Sequence, residues 1–484
     1  MKIFRAKSAF AVILPLILLI SLQLPTLAAG IYVDGGVNTL PGSLSDAYAV
    51  GGDGSVGKVS GSYALTARGT EYVDGPNNGG VPNESLTPAP ISGTIQIASN
   101  TIKVGLKYYY SASRDSSVDT AALNNVSGGG FKFGYYDGQR NFIETGSTAE
   151  NEVTVTCYSG GNTAVITKTG TSQSLFSFSK TNNENFAILA QSSSGKAVTS
   201  FSGVTYYGGF EFNGLSNNKI TVINVVDIED YTVGVLGSEM SYSWPIEALK
   251  AQAVAAKTYA ARMIKNSSYY NAGGYDLTND TYTQAYSGTS RLGNNNRIAD
   301  AVSQTSGQYI AYDNRLIDAL YFSSDGGSTE DNVNINGTSI PYLKGVIDPY
   351  EAAIASENIY STWTVIFTPA ALGSRLGMGS IASVVPTYSP TNNCIKLVVT
   401  DVNGNTRTIE RYACCTALGL RSIHYTVTKN AEGSYVFDGG GWGHSVGMSQ
   451  FGAKAMAQEY DFNYRQIIGF YYTGVNLATA IYAA

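Results

Sequence analysis

Charged side chains are scarce in this chain of 484 residues. Asp, Glu, Lys and Arg together make up 14% of it, and the formal net charge is -6. A protein that binds nucleic acid needs a basic surface that neutralises phosphates, and the sequence has no such concentration of Lys and Arg. We therefore expect no nucleic-acid partner.

Cysteine and histidine are rarer still. The chain has four cysteines and two histidines: Cys157, Cys394, Cys414, Cys415, His424 and His444. Four cysteines do not make a disulfide scaffold in a chain of this length, although export would permit one bridge between Cys394 and either Cys414 or Cys415. A zinc site with ordinary nitrogen and sulfur ligands needs more donors than these. We predict no metal and no cofactor.

The only long apolar run covers residues 9–24 and is interrupted by Pro15. Lys2, Arg5 and Lys7 precede it, and small residues at positions 26–29 follow it. This pattern predicts a signal peptide over residues 1–29, and the alternative is a retained membrane anchor. We expect a secreted or cell-envelope, extracytoplasmic protein that is attached to a membrane only if this segment is kept.

Tyrosine and glycine, by contrast, are abundant, with 35 and 54 residues. Flat aromatic faces and neutral hydrogen-bonding groups suit a sugar, which presents C–H faces and hydroxyls. Tyrosine also fills strands well, so the composition by itself favours a sugar-binding surface only weakly.

Three regions follow the predicted signal peptide, and together they indicate an α+β fold. Residues 30–100 are rich in Gly, Ser and Asn and predict an extended segment. Residues 101–215 alternate apolar and polar side chains and predict a β-rich subdomain. Residues 216–484 predict a mixed domain with a central Ala-rich helix and C-terminal helices near residues 450–458 and 464–470.

The central helix is predicted from Trp244 to about Lys265, with Ser243 as its N-cap and Pro245 in its first turn. The residues before Ser243 suggest the end of a strand and a turn. Glu239 lies at this junction and is the only charged residue between Asp230 and Glu247. A second helix is predicted over residues 297–305, and a two-residue hairpin turn at residues 313–314.

Two segments rich in small residues are candidates for ligand contact. Residues 323–329, here called the Ser/Gly loop, would let backbone N–H groups approach a ligand. Residues 438–450 place five glycines around Trp442 and His444, which is hard to explain as core packing. A histidine in such a loop is as often structural as functional.

Several dispersed segments, in order, resemble the SpoIID/LytB family. The matching segments are residues 224–231, 237–240, 244–260, 283–288, 323–329, 418–422 and 441–450. Three departures are visible. Tyr282 and Thr283 stand where some relatives have metal ligands, Asp325 stands where serine is usual, and Ser445 stands where glycine often follows the histidine.

The resemblance implies binding to peptidoglycan glycan strands and, for sporulation members, lytic transglycosylase activity between N-acetylmuramic acid and N-acetylglucosamine. It places the catalytic glutamate at Glu239. The residues expected to hold the glycan or stabilise charge are Gln284, Tyr286, Ser323, Ser324, Gly326, Gly327 and His444. The alternative is a non-catalytic enhancer of an N-acetylmuramoyl-L-alanine amidase, which would make a cell-wall amidase a partner. A surface adhesin is a third possibility.

A lytic transglycosylase can work with one carboxyl group, which must begin protonated. Burial would raise the pKa of Glu239 as this requires, and its neighbours Val235, Leu236, Met240 and Trp244 are apolar. The competing interpretation is that Glu239 caps the following helix, although Ser243 is itself a good cap.

Overall fold

The computed structural model describes residues 86–180, 184–293 and 296–482, together with four short strands between residues 31 and 71. The chain divides into two compact units, residues 1–62 with 73–80 and residues 63–72 with 81–484. The first contains strands β1 (Ile31–Tyr32) and β2 (Tyr48–Ala49), which pair antiparallel. The predicted signal peptide and most of the predicted extended segment lie outside the described residues.

The second unit begins with β strands. They are β3 (Ala64–Thr66), β4 (Gly69–Glu71), β5 (Ile91–Ile97), β6 (Thr101–Lys107), β7 (Tyr109–Ser111), β8 (Arg114–Asp115), β9 (Thr120–Asn125), β10 (Phe131–Tyr136), β11 (Phe142–Thr148), β12 (Glu152–Tyr158), β13 (Thr163–Lys168), β14 (Ser174–Ser179), β15 (Phe186–Ala190), β16 (Thr199–Phe201), β17 (Val204–Tyr206), β18 (Gly209–Gly214) and β19 (Ile220–Asp227).

Most of these strands form two large sheets that share one core. The seven-stranded sheet has the order β11-β10-β15-β18-β19-β6-β20, where β20 is Leu277–Thr278, and the six-stranded sheet has the order β14-β13-β12-β9-β16-β17. Along β12 the buried positions alternate, with Val153, Val155 and Cys157 inside, because successive side chains on a strand point to opposite faces. The core between the sheets continues onto Tyr231 and Val235 of the following helix.

The remaining elements build the mixed region. The helices are α1 (Ile228–Glu239), α2 (Ile246–Met263), α3 (Ser268–Gly273), α4 (Arg297–Gln304), α5 (Asn332–Asn336), α6 (Pro369–Leu376), α7 (Ala413–Thr416), α8 (Gln450–Glu459) and α9 (Tyr464–Tyr471), with a 3₁₀ helix at Glu351–Ile354. The strands are β21 (Gln308–Tyr312), β22 (Arg315–Leu316), β23 (Tyr321–Phe322), β24 (Trp363–Phe367), β25 (Ile381–Tyr388), β26 (Cys394–Asp401), β27 (Thr406–Glu410), β28 (Tyr425–Lys429), β29 (Tyr435–Gly439), β30 (Met448–Ser449) and β31 (Asn476–Tyr482).

The α+β class is confirmed, but the segment before Ser243 is a helix and not a strand end. Helix α1 begins because the Asp227 side chain accepts a hydrogen bond from the Glu229 backbone N–H at 2.8 Å. The negative charges of Glu229 and Asp230 in its first turn interact favourably with the positive end of the helix dipole. The β-branched residues that suggested a strand are buried on this helix, where packing overrides local preference. Glu239 is the last residue of α1.

The Ala-rich central helix is confirmed as α2, but it begins at Ile246 and not next to Ser243. Pro245 is its N-cap, and the residue before a proline is disfavoured in helical conformation, which moves the start along the chain. Ala248, Ala251 and Ala255 are among its fully buried residues. Such small side chains let neighbouring elements approach α2 closely, so it forms the centre of the domain.

Two other local predictions are confirmed. Helix α4 occupies the predicted span, and Asp313 and Asn314 form the hairpin turn between β21 and β22, both with positive φ.

The expected disulfide does not form. All four cysteines are buried free thiols. The Cys414 thiol donates to the Ile409 carbonyl at 3.5 Å, and the Cys415 thiol donates to the Leu420 carbonyl at 3.0 Å.

Within the described residues, we find no helix with both the length and the apolar character needed to cross a membrane.

Candidate functional site

The Glu239 carboxyl group lies at the C-terminal end of α1 and is held by neutral donors. The Ala285 backbone N–H donates to Oε1 at 3.1 Å, and the Gln450 side-chain amide donates to Oε2 at 3.1 Å. The Tyr321 hydroxyl also hydrogen-bonds to this carboxyl. The three donors come from segments far apart in the sequence, so the fold assembles the site.

The protonation of Glu239 follows from its surroundings. Burial raises the pKa of this carboxyl above its ordinary value, and the hydrogen bonds from Gln450, Ala285 and Tyr321 oppose that shift without cancelling it. The residue is still half-buried and not enclosed, so part of it remains accessible. A partly accessible carboxyl with a raised pKa has the properties of a general acid.

Gln284 lies next to this group and is almost fully buried. Its Oε1 accepts from the Tyr231 hydroxyl at 3.1 Å, which fixes the orientation of the amide. Its Nε2 donates to the Tyr321 hydroxyl at 2.9 Å and to the Ala256 carbonyl at 3.3 Å. Because Gln284 donates to Tyr321, the hydroxyl proton of Tyr321 is directed towards Glu239. The predicted contact of Gln284 with glycan stays a prediction.

Tyr286 anchors the loop that carries Ala285. Its hydroxyl donates to Asn224 Oδ1 at 2.8 Å, and its ring lies 4.9 Å from the Tyr231 ring. The ring packs directly over Gly234 of α1, where an added Cβ would lie 2.5 Å from a ring carbon. Only glycine permits this approach, which brings the Ala285 N–H to Glu239. Tyr286 is buried, and its role in substrate binding stays a prediction.

The Ser/Gly loop turns its polar groups inward. Ser324 is fully buried and donates to Glu351 Oε1 at 2.5 Å, while Ser323 is half-buried. The Gly326 N–H also points to Glu351, and the Gly327 N–H donates to Asp325 Oδ1 at 2.7 Å. The backbone N–H groups expected to meet a ligand are therefore engaged within the protein. Substrate contact by these four residues stays a prediction.

Gly326 is required by a close approach between two loops. Its φ is +71°, and an added Cβ would lie 2.5 Å from the Gly440 carbonyl carbon. Ser324 and Trp442 also pair through their backbones, at 3.1 Å and 2.7 Å. The Ser/Gly loop and the His444 loop, residues 440–447, are therefore held together by backbone hydrogen bonds.

His444 lies beside Tyr321. Its Nδ1 accepts from the Val446 N–H at 3.2 Å, so its proton is on Nε2, and the ring also hydrogen-bonds to the Tyr321 backbone. Its ring lies 5.3 Å from that of Phe322. Burial lowers the pKa of His444 to about 4, so the imidazole is neutral at neutral pH. Its geometry supports the position of Tyr321, and its contact with substrate stays a prediction.

Comparison with known proteins identifies the family. A sequence model of the family described as Stage II sporulation protein (SpoIID) matches residues 216–312. An uncharacterised protein of Brachyspira hyodysenteriae is 35% identical over 285 residues, which cover 57% of this chain and 73% of that protein. Stage II sporulation protein D of Bacillus subtilis is 31% identical over 265 residues, covering 53% and 75%. This chain belongs to the SpoIID family.

A more distant relative bears a different name. The amidase enhancer of Bacillus subtilis is 29% identical over 297 residues, which cover 51% of this chain and 40% of the enhancer. The segment that matches the SpoIID family model contains Glu239, Gln284 and Tyr286 but neither the Ser/Gly loop nor the His444 loop.

Sequence reasoning missed two residues that contact Glu239 in this SpoIID protein. Tyr321 begins strand β23, which leads into the Ser/Gly loop, and Gln450 is the first residue of α8. Both stand at the edge of segments that the sequence marked as unusual. The unusual glycine content of those segments drew attention to the glycines themselves and to His444. It did not distinguish Tyr321 or Gln450 from their neighbours.

A row of aromatic side chains was also missed. The Trp244 ring lies 5.0 Å from that of Phe451, the Phe451 ring 6.0 Å from that of Tyr360, and the Tyr360 ring 5.0 Å from that of Trp442. Phe451 follows Gln450 directly on α8, so the row includes the neighbour in sequence of a residue that contacts Glu239. Trp442 is 44% exposed at the far end. We call these four residues the aromatic row.

Proposed function

We propose that this protein binds peptidoglycan glycan strands and cleaves them as a lytic transglycosylase, with Glu239 as the single acid and base. The observation that carries the proposal is the half-buried Glu239 carboxyl, whose pKa is raised and whose three partners are neutral donors. Membership of the SpoIID family supports it, as does the similarity to stage II sporulation protein D.

The reaction begins with protonated Glu239, which donates its proton to the oxygen of the bond between N-acetylmuramic acid and N-acetylglucosamine. The bond from that oxygen to the muramoyl C1 breaks, and positive charge develops at C1. The resulting carboxylate then takes the proton from the muramoyl C6 hydroxyl while that oxygen bonds to C1. The products are an N-acetylglucosamine end and a 1,6-anhydromuramoyl end, with no water consumed.

One carboxyl group performs both transfers in this scheme, whereas most glycosidases use two. The hydrogen-bond partners of Glu239 are Ala285, Gln450 and Tyr321, none of which is a carboxylate. After the first transfer, these donors stabilise the carboxylate charge until the second proton returns. The Gln284 amide keeps the Tyr321 hydroxyl aimed at Glu239 throughout.

The aromatic row supplies a surface for the sugar strand. Aromatic rings bury the C–H faces of sugars while leaving hydroxyls free for hydrogen bonds. The row contains Phe451, whose neighbour in sequence, Gln450, contacts Glu239, and its far end is the exposed Trp442. A wall polymer as substrate requires an extracytoplasmic location, either secreted or in the cell envelope.

The second candidate is a binding role without cleavage. The similarity to the amidase enhancer favours it, because that relative is named for its effect on another enzyme. In this role the aromatic row would hold glycan, a cell-wall amidase would be the partner, and Glu239 would have no chemical task.

The test compares purified wild type with Glu239→Gln on glycan strands stripped of stem peptides. Release of 1,6-anhydromuramoyl products is followed by mass spectrometry, and binding is followed by co-sedimentation. We expect release by wild type and by the control Glu410→Gln, which is exposed on β27, and none by Glu239→Gln, which still binds. If wild type binds the strands, releases nothing and stimulates an added amidase, the enhancer role replaces the enzyme.

A further inference from the structure

Three buried carboxyl groups meet behind the Ser/Gly loop. They belong to Asp325 within the loop, to Asp348, and to Glu351 at the start of the 3₁₀ helix, and they are 0%, 1% and 4% exposed. Each offers an oxygen that lies within 4.8 Å of the oxygens offered by the other two. In the described part of the chain, this is the one place where three or more possible metal-binding side chains converge.

Glu351 and Asp348 are both well supplied with hydrogen-bond donors. Glu351 accepts from Ser324 Oγ, Asn358 Nδ2, Ser449 Oγ and the backbone N–H groups of Asp325 and Gly326. Asp348 accepts from the Tyr350 and Glu351 backbone N–H groups at 2.8 Å and 3.2 Å and from the Tyr471 hydroxyl. All of these donors are neutral.

Asp325 is different. Its Oδ1 accepts from the Gly327 N–H, but its Oδ2 is buried and receives no hydrogen bond from a neutral donor, and its side-chain partner is the carboxyl group of Asp348. None of the ion pairs among the described residues involves Asp325, Asp348 or Glu351. Two buried carboxylates that face each other without a cation cost several kcal/mol, so either a bound cation or a proton shared between Asp325 and Asp348 must neutralise this pair.

We propose that a calcium ion occupies this cluster, bound by Asp325 Oδ2 together with oxygens of Asp348 and Glu351. Carboxylate oxygens are the ligands of hard divalent cations, and the absence of nitrogen and sulfur donors disfavours zinc. Ca–O distances of about 2.3–2.6 Å let ligands on opposite sides of the ion lie nearly 5 Å apart. Magnesium requires a tighter octahedron and usually keeps several waters, which this buried position does not favour.

The sequence predicted no metal because cysteine and histidine ligands are scarce, and this proposal departs from that prediction because its ligands are carboxylates. Neither Asp348 nor Glu351 lies in a segment that the sequence singled out. Asp325 was noted only because serine is usual at its position. The site would therefore be a property of chains that carry aspartate there.

The ion would be structural, and its position explains how it would affect Glu239. Ser449 is the N-cap of α8 and donates to Glu351 at 2.7 Å, while the next residue, Gln450, donates to Glu239. Tyr471 ties α9 to Asp348 in the same way. An ion at this cluster would hold the Ser/Gly loop and the start of α8 in place relative to each other. It would thereby also hold the Gln450 side-chain amide that contacts Glu239.

The test uses the full purified chain after treatment with a chelator. Isothermal titration with calcium chloride should show one equivalent bound, and thermal unfolding should shift to higher temperature as calcium is added, because the ion binds the folded state. Asp325→Asn keeps the size of the side chain and should weaken calcium binding at least tenfold. Asp313→Asn, at the exposed hairpin turn, should bind like wild type.

Three outcomes would overturn the proposal. The first is a wild type that binds no calcium, which would mean that a proton shared between Asp325 and Asp348 neutralises the cluster. The second is a clear preference for magnesium or manganese over calcium. The third is one-equivalent calcium binding by Asp325→Asn with unchanged affinity, which would place the ion elsewhere. If Asp325→Asn does not fold, Asp325→Ser serves instead, and the wild-type titration decides independently.

Discussion

Two glutamates of one domain show how the proposed catalytic position differs from a structural one. Glu239 is half-buried and has three neutral hydrogen-bond partners, whereas Glu351 is buried and accepts from five donors. Burial raises the pKa of both carboxyl groups, so the pKa alone does not distinguish them. What differs is access: Glu239 is partly exposed to solvent, while Glu351 is enclosed by its donors and by the neighbouring carboxyl groups of Asp325 and Asp348.

The two positions are also linked. Ser449 contacts Glu351 and Gln450 contacts Glu239, so consecutive residues at the start of α8 hold one carboxyl each. The buried cluster thus positions one donor of the accessible site. Substitutions at Glu351 should therefore act on folding, and substitutions around Glu239 should act on the proposed chemistry.

The largest effect is expected from Glu351→Ala. It leaves five donors without their acceptor in a buried place, which should lower the free energy of unfolding by about 3 kcal/mol or more. Urea unfolding followed by circular dichroism measures this. The same measurement on Glu239→Ala should show a loss of about 1 kcal/mol or less. Equal losses in the two variants would remove the distinction between the positions.

The second effect concerns Tyr321, which we regard as a positioning residue for Glu239. Tyr321→Phe removes one donor to the carboxylate and should lower kcat about tenfold or more, with little change in KM. It should also raise the pKa of Glu239. Since the reaction needs protonated Glu239, activity falls as pH rises through that pKa, and in Tyr321→Phe this fall should move to higher pH.

The pH profile separates this role from a purely structural one. Tyr312→Phe, a matched change at the hairpin turn, should leave both kcat and the pH profile unchanged. A Tyr321→Phe enzyme that loses activity without any shift of the profile would show that the hydroxyl does not act through Glu239.

The sequence singled out Glu239 because an isolated acid among apolar residues is unusual, and its catalytic role stays a prediction. The sequence located α2 and α4 because their helical patterns are strong. It mistook α1 for a strand end, since valine favours strands locally, and only tertiary packing, of Val233 against α2 and α4 and of Val235 against the sheets, makes the segment helical. The Gln450 contact spans 211 positions, and no local pattern encodes it. Ser324 illustrates a further limit, because a serine in a glycine-rich loop fits a ligand contact or an internal bond equally well.

The third effect tests whether the exposed end of the aromatic row binds glycan. Trp442→Ala should weaken binding to stripped glycan strands about tenfold, or about 1.4 kcal/mol, because a large ring surface is lost. Trp442→Phe should recover part of this affinity. The control is Tyr158→Ala, which removes an exposed ring from β12 and should change nothing. Unchanged binding by Trp442→Ala, measured by co-sedimentation, would exclude the aromatic row as the glycan surface.

The smallest effect is a pH-dependent difference in stability between wild type and Glu239→Gln. Burial holds the pKa of folded Glu239 above that of the unfolded chain, so between these two values the folded state binds more protons. The free energy of unfolding contributed by this group therefore falls as pH rises through that window and then stays low. Glutamine does not titrate, so Glu239→Gln should gain stability relative to wild type as pH rises from about 4, the ordinary pKa of a glutamate, through the raised pKa of folded Glu239. Thermal unfolding across this range measures the gain, and Glu410→Gln controls for the loss of one negative charge.

A difference in stability between wild type and Glu239→Gln that stays constant with pH would show that the Glu239 carboxyl is not held in its protonated form. The general acid of the proposed reaction would then have to be another group.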